Sequence, residues 1–427
     1  MCQGFLKGEN TVLQSYTYGD LDNFTSQKRR TANDTNRPVP QKPIAKRRKK
    51  FRVFSKGDGL DLTFFLLVLG VLIIGLVMMF SASYPYAYHK YDDSYYFIKR
   101  QLAFAVIGVL AMIGLSYFDY HHLHKVAAPA LAAAWVLMIL VLILPSAGEP
   151  GDPKRWLNLG VFSIQASEIC KFALILFMAN WGSIYYKKMK TIKFGILPGV
   201  VVLAVTGLLL YMEPHYSGIV ICALIVAVMM VLSGVPILYF GIAGGGLGVI
   251  VLLMAVTGKL TYAMSRLDGW GQALEYTTPE MWQTTWQTRN SLYAIGSGGL
   301  WGLGLGQSRQ KYMFLPEPQN DFVFAIVSEE LGLIGAIVIL SLFAVLVWRG
   351  IKICMRATDK FGMLLGVGLM MQIGLQVVLN IMVITDFLPN TGISLPFFSY
   401  GGSSLVMLLA QMGIVMNISR SASLEKQ

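Results

Sequence analysis

Acidic side chains sit in this chain where an apolar sequence should carry none. In "LPEPQNDFVFAIVSEELG", residues 315–332, a polar turn becomes an apolar helix, with Asp321 at its mouth and Glu329 and Glu330 about two turns further in. On one continuous helix, eight steps of about 100° set Asp321 and Glu329 about 80° apart in azimuth and roughly 12 Å apart along the axis. Glu330 then points to the other side and should tolerate Gln. A charge deep in a bilayer costs a few kcal/mol on insertion scales, so at least one of these acids must face protein or water. Capping of the helix N-terminus accounts for Asp321 without any chemistry. Glu329 is expected to face the interior as structural support, or to hold the polar lining of a cavity.

Four further constellations could do chemistry. "QASEICK", residues 165–171, sets Glu168 and Lys171 three residues apart, on one helical face at the start of an apolar run. A structural ion pair and a functional cavity pair both fit that spacing. Upstream, "DPKRWLNLG" supplies Arg155 and Trp156, as a cation near the same cavity or as an interfacial anchor. "MEPHYSG", residues 212–218, sets Glu213 and His215 around Pro214 in a polar turn. The stretch from Arg266 carries Asp268, Glu275 and Glu280, then glycines at 296, 298, 299, 302, 304 and 306. No strand precedes those glycines, so neither a dinucleotide fingerprint nor a P-loop is supported, and close packing or a hinge is expected. "LPNTGISLPFFSYGGSSL", residues 388–405 and including Ser403, reads as an irregular, cavity-lining segment.

What must position these residues is a membrane bundle. Of 427 residues 55% are hydrophobic and 14% charged, and the mean hydropathy is +0.57, far from a soluble globular chain. Apolar runs at about 60–83, 102–118, 126–144, 168–184, 195–211, 217–233, 236–256, 321–348, 361–385 and 399–418 are near or above the roughly 17 residues that cross a bilayer as a helix. Ten spans and an all-α, polytopic membrane fold follow. Lys and Arg concentrate in the tail before the first span, at 185–193, at 348–360 and in the C-terminal "SRSASLEKQ", all on one side under alternate spans. Both termini are therefore expected in the cytoplasm.

The opposite face receives loops 84–101, 145–167, 212–216, 257–320 and 386–398, where the chemistry should be sought. The loop 257–320 is far longer than a usual connection, and Trp270, Trp282, Trp286 and Trp301 suit a folded loop resting on the membrane surface. Residues 1–58 are too polar to bury a core and are expected to be a disordered basic tail; 421–427 form a second short tail. The net charge of +12 is thus explained by topology and attraction to membrane lipid, and nucleic-acid binding is not implied. The four cysteines build neither a disulfide framework nor a metal motif, and "HHLH" at 121–124 reads as a turn rather than a zinc site.

"KRWLNLGVFSIQASEICKFALIL", "IGSGGLWGLGLGQSRQKYMFLPEPQNDFVFAIVSEELGLIGA" and "TGISLPFFSYGGSSL", in this order, resemble successive motifs of the SEDS family (shape, elongation, division and sporulation), the FtsW/RodA/SpoVE polymerases. With "DLTFFLLVLGVLIIGLVMMFSAS", the resemblance covers about residues 58–420 and places a SEDS-like transmembrane domain at 59–420. It implies ten spans and the polymerisation of lipid II, the lipid-linked disaccharide precursor of peptidoglycan, at the outer face of the bacterial cytoplasmic membrane. It also implies a class B penicillin-binding transpeptidase as partner, in division, elongation or sporulation.

The chain departs from the family pattern in two places. Gln165, Ala166, Ser167 and Glu168 stand where the family usually has Gln-Pro-Ser-Glu. In the long loop no Asp-Pro pair exists, so the family's essential aspartate falls on Asp268, Glu280 or Glu275, in that order. That acid would be the general base for the acceptor hydroxyl; Lys171, Arg155 and Arg266 would meet the diphosphate, and Glu168 would orient Lys171. Asp321 and Ser403 complete the expected substrate-binding set. No cofactor is identified; a divalent cation bridging phosphates is compatible with the chemistry, though no ligand cluster marks one. A lipid-linked precursor transporter and a catalytically silent scaffold of the cell-wall synthesis complex are the alternatives; the transporter should show an inverted repeat of half-helices, which the sequence does not.

Overall fold

The computed structural model describes residues 60–144, 155–158, 163–241, 270–275 and 279–424. Its helices are α1 (Leu62–Tyr91), α2 (Tyr96–Tyr117), α3 (Leu123–Ile143), α4 (Ala166–Ile184), α5 (Leu197–Met212), α6 (Tyr216–Leu232), α7 (Pro279–Thr284), α8 (Trp286–Gly298), α9 (Val323–Cys354), α10 (Lys360–Ile384) and α11 (Gly402–Leu424). Nine of the ten expected spans are helical. The tenth, 236–256, lies outside the described residues beyond Gly241, as do the tail to residue 59 and residues 425–427. One feature departs from an all-helical reading: a two-stranded hairpin, β1 (Trp156–Asn158) against β2 (Ser163–Gln165), antiparallel with Trp156 opposite Gln165.

Helix starts follow local chemistry. The Asp61 carboxylate accepts the Phe64 N–H at 2.9 Å and caps α1; Asp359 accepts the N–H groups of Phe361 and Gly362 and caps α10. The most enclosed helix is α10, which packs against α4, α6, α8, α9 and α11. Small residues let others approach closely: a Cβ at Gly108 would strike Leu409, and one at Gly413 would strike the Met112 backbone, which seats α2 against α11.

The two ends of the bundle have different chemistry. At one, Arg349 Nη2 lies 2.7 Å from Asp61, the Tyr120 hydroxyl donates to Asp359, and Lys360 covers the Tyr186 ring. Of the segments predicted from Lys and Arg to share one side, 185–193 and 348–360 meet there. At the other end, 94–101, 155–158, 163–168, 213–217, 312–321 and 392–402 converge, as alternate spans require.

The helix carrying the paired acids is broken. Gly332 has φ 67° and ψ −172°, a conformation only glycine adopts without strain. There the Glu329 and Glu330 carbonyls accept the N–H groups of Leu303 and Gly304, both at 3.0 Å, while the Leu333 and Ile334 N–H groups bond the Gly299 and Leu300 carbonyls. A Cβ at Gly298 or Gly302 would overlap the Ser328 or Glu330 carbonyl. The glycine stretch is therefore a packing device that replaces helical hydrogen bonds lost at the break, not a phosphate cradle.

Candidate active site

Short polar segments at helix starts enclose a cavity of about 620 Å³. The β hairpin brings Arg155 and Trp156 to one wall. The first turns of α4 bring Glu168 and Lys171, and the segment 392–402 closes the opposite side. Lys171 Nζ lies 2.6 Å from Glu168 Oε1, with the two side chains only 4% and 6% exposed. The i, i+3 spacing thus yields a buried pair facing the cavity, and both readings of that spacing meet in one geometry. A double-mutant cycle on thermal stability is expected to give a coupling of roughly 1–3 kcal/mol, with Lys171→Ala and Glu168→Ala each worse than the double variant. Additive losses would sink the pairing.

Arg155 Nη2 donates to the Pro214 carbonyl at 2.7 Å, which ties the hairpin to the turn between α5 and α6. In that turn, burial pushes His215 down to about 3, with Arg155 and Lys171 acting in the same sense, so the imidazole facing the cavity is neutral at physiological pH. Burial pushes Glu213 up to about 7 against the pull of Arg155. Among the described residues, the cavity's permanent cations are thus Arg100, Arg155 and Lys171, the last paired with Glu168.

Asp321 lines the same cavity but does not cap α9, which starts two residues later with Phe322 in the cap position and no side-chain cap bond. Its carboxylate lies against Gly392, where φ is +69° and an added Cβ would come within 2.9 Å of Asp321 Oδ2. Asn380 holds this arrangement: its Nδ2 donates to the Asp321 carbonyl at 2.7 Å and to the Ile393 carbonyl at 2.6 Å. Sequence reasoning passed over Asn380, although three amides four residues apart in one apolar span, Gln372, Gln376 and Asn380, were the available signal. Ser403 is displaced from the expected role: its Oγ accepts the Gln165 N–H at 3.3 Å and latches the hairpin to α11, while its neighbour Ser404 lines the cavity. Of the segment 388–405, residues 388–401 are irregular, as expected, whereas 402–405 already belong to α11.

The family described as "Cell cycle protein", FtsW, RodA and SpoVE, matches residues 61–424. The chain belongs to the FtsW/RodA/SpoVE family. It is 40% identical over 363 residues to the stage V sporulation protein E of Bacillus subtilis, spanning 84% of this chain and 97% of that one. It is 35% identical over 379 residues to a probable peptidoglycan glycosyltransferase FtsW of Trichlorobacter lovleyi, spanning 88% and 96%. Among solved structures, a chain of a peptidoglycan synthase complex superposes with a TM-score of 0.69 at 22% identity over 85% of this chain and 98% of that one. The rod shape determining protein RodA of Thermus thermophilus gives 0.60 at 23%, over 84% and 97%. The fold is that of this family.

In this FtsW/RodA/SpoVE chain Glu275, the one loop acid whose side chain is described, does not line the cavity. Asp268 and Arg266 lie outside the described residues. Glu275 sits exposed in a turn, and Glu280 belongs by its backbone to the first turn of α7. Among the described residues no three His, Cys, Asp or Glu side chains converge to hold a metal ion.

Glu329 and Glu330 do not line the cavity either. They anchor the loop 307–311 in a buried polar knot. Glu329 accepts from the Ser308 hydroxyl, from Arg309 N–H at 2.9 Å and from Gln310 N–H at 3.3 Å. Glu330 accepts from Lys311 Nζ at 2.7 Å and from the Ser81 hydroxyl, and neither Glu330 nor Lys311 is exposed at all. Glu330 is thus as buried as Glu329, which argues against the expectation that it tolerates Gln. The break at Gly332 and the returning loop cover both faces of α9, so azimuth on an isolated helix did not decide exposure. Lys311 was the missed partner; its signal was a buried acid without a named cation.

Proposed function

We propose that this chain is a peptidoglycan glycosyltransferase that polymerises lipid II into glycan strands. The observation that carries this reading is the cavity's change of character along the helices that line it. On α2 the wall runs from Arg100 to Phe104; through α6 it runs from His215 at the cap to Ile221; on α11 it runs from Gly402 to Leu405 and Leu408. Cations meet the membrane surface and apolar side chains continue inward, which suits a diphosphate joined to a hydrocarbon tail.

The chemistry follows from those parts. The acceptor sugar's 4-hydroxyl loses its proton to a carboxylate of the long loop as its oxygen attacks the donor's anomeric carbon. The bond from that carbon to the diphosphate oxygen breaks, and the lipid diphosphate leaves with its charge stabilised by Arg155 and Lys171. Glu168 holds Lys171, Arg266 adds to the phosphate site, and Asp321 receives sugar hydroxyls at the mouth.

The cavity end is the extracytoplasmic face, because the basic segments gather at the opposite end. Both termini are then cytoplasmic, and the bilayer is a bacterial cytoplasmic membrane. A class B penicillin-binding transpeptidase is the partner, in line with the FtsW-type relatives and the synthase-complex fold. The test is direct: full-length protein purified with its transpeptidase should convert lipid II into glycan strands that resist moenomycin. Folded, partnered protein that yields no polymer counts against the enzyme, and translocation of lipid II across vesicles by such a sample favours the transporter.

A further inference from the structure

Six of the chain's 20 tyrosines fall within residues 84–96, in "YPYAYHKYDDSYY", and the cavity uses none of them. Helix α1, at 30 residues, is about 45 Å long, while a hydrocarbon core is about 30 Å thick. Counted from Leu62, about twenty residues cross the core, so Tyr84 to Tyr91 project beyond it on the cavity's side.

There they meet the loop 312–313 and form a second, open groove of about 510 Å³, lined by Tyr84, Tyr88, His89, Ser94, Tyr312 and Met313 together with Pro85. Its volume is that of small-ligand sites. Tyr88 and Tyr312 are 62% and 51% exposed. The Tyr84 and Tyr312 hydroxyls are hydrogen-bonded at 2.5 Å, and Lys311 Nζ lies 4.8 Å from the Tyr84 ring centre, so the buried knot fixes that ring.

Two features narrow the occupant. The lining holds hydroxyl and imidazole groups but no Lys, Arg, Asp or Glu, which fits a neutral, hydroxyl-rich ligand better than a charged lipid headgroup. The groove also lies close to the cavity along the chain. Met313 and Glu317 are four residues apart on one loop, and Ser94, two residues before α2, is six residues from Arg100 on that helix, with the first of each pair in the groove and the second in the cavity. Aromatic rings run from the cavity wall toward the groove: Tyr400 of the cavity wall contacts Phe97 at 4.8 Å, Phe97 contacts Tyr96 at 5.3 Å, and Tyr96 stacks at 3.8 Å on Tyr91, which follows Tyr88 of the groove on α1.

Given the polymerase reading above, on which this inference rests, the geometry points to the groove as a binding site for the β-1,4-linked amino-sugar strand after it leaves the cavity. Flat aromatic faces take the apolar faces of pyranose rings at little entropic cost, and the hydroxyls meet the rims. A strand held there keeps its growing end at high effective concentration near the reacting groups.

The Tyr88→Ala/Tyr312→Ala double variant, full-length and with its transpeptidase, should form the first glycosidic bond at the wild-type rate and yield strands several-fold shorter. Tyr88→Phe/Tyr312→Phe should restore length. Saturation-transfer NMR with chitohexaose should show contact in the wild type and a several-fold weaker signal in the alanine variant. Unchanged strand length or unchanged chitohexaose signal overturns the proposal. Loss of the co-purifying transpeptidase from the alanine variant overturns it in favour of a protein-docking surface, and loss of membrane insertion overturns it in favour of anchoring. If the wild type makes no polymer, the polymerase reading falls while the chitohexaose comparison still decides the groove.

Discussion

Lys311→Met is expected to destabilise the protein by about 3–5 kcal/mol, the range for breaking a fully buried ion pair from one side. The Lys311 ammonium and Glu330 carboxylate are 2.7 Å apart and wholly buried, so removing the cation leaves a carboxylate with only the Ser81 hydroxyl and the Ser308 N–H in contact, the latter at 3.4 Å. Adding Glu330→Leu removes the stranded charge and should recover part of the loss, but not all, because the Ser81 and Ser308 donors then lose their acceptor. Thermal unfolding of the purified protein in detergent measures both variants. A single variant as stable as the wild type, or a double variant less stable than either single, would contradict the geometry. The consequence for function is positional. Loop 307–311 leads directly to Glu317 and Asp321 at the cavity mouth, so a loosened knot should lower activity through Asp321 even where the protein remains folded.

The extent to which this was readable from sequence depends on the physical range of each signal. Spans depend on runs of apolar residues, and loop sides depend on counts of Lys and Arg; both are properties of contiguous sequence, and the helices and the two ends of the bundle follow them. The Glu168–Lys171 pair was legible for the same reason, since three residues on a helix are neighbours in space. Glu330 and Lys311 are 19 residues apart, across a glycine loop and a helix break, and no periodicity connects them. Asp321 failed as a cap because its helix starts two residues later, and Ser403 gave up the cavity to Ser404 because the β hairpin occupied its hydroxyl. The hairpin itself, two strands of three residues, is too short to carry an alternation.

The largest effect on activity is expected at the long-loop acid. Asp268→Asn keeps the size and much of the hydrogen bonding of the side chain but removes its ability to accept a proton. If Asp268 is the base, polymer formation should fall by roughly 10²–10⁴-fold while expression and thermal stability hold. The comparison with the other two acids follows from where they sit. Glu275 is exposed in its turn, away from the residues that line the cavity, so Glu275→Gln is expected to be nearly neutral. Glu280 opens α7, whose following segment carries the buried Arg289: its Nη2 donates to the Trp282 carbonyl at 2.6 Å and its guanidinium stacks 3.8 Å from the Trp282 ring. That contact gives α7 a fixed place beside α8 and makes Glu280 the second candidate for a carboxylate delivered to the acceptor hydroxyl. An active Asp268→Asn with a dead Glu280→Gln would move the base to Glu280 and leave the reaction as written. Full polymerisation by all three single variants would remove the loop carboxylate from the mechanism. The departing diphosphate and its cations at Arg155 and Lys171 would then have to lower the barrier without a positioned base.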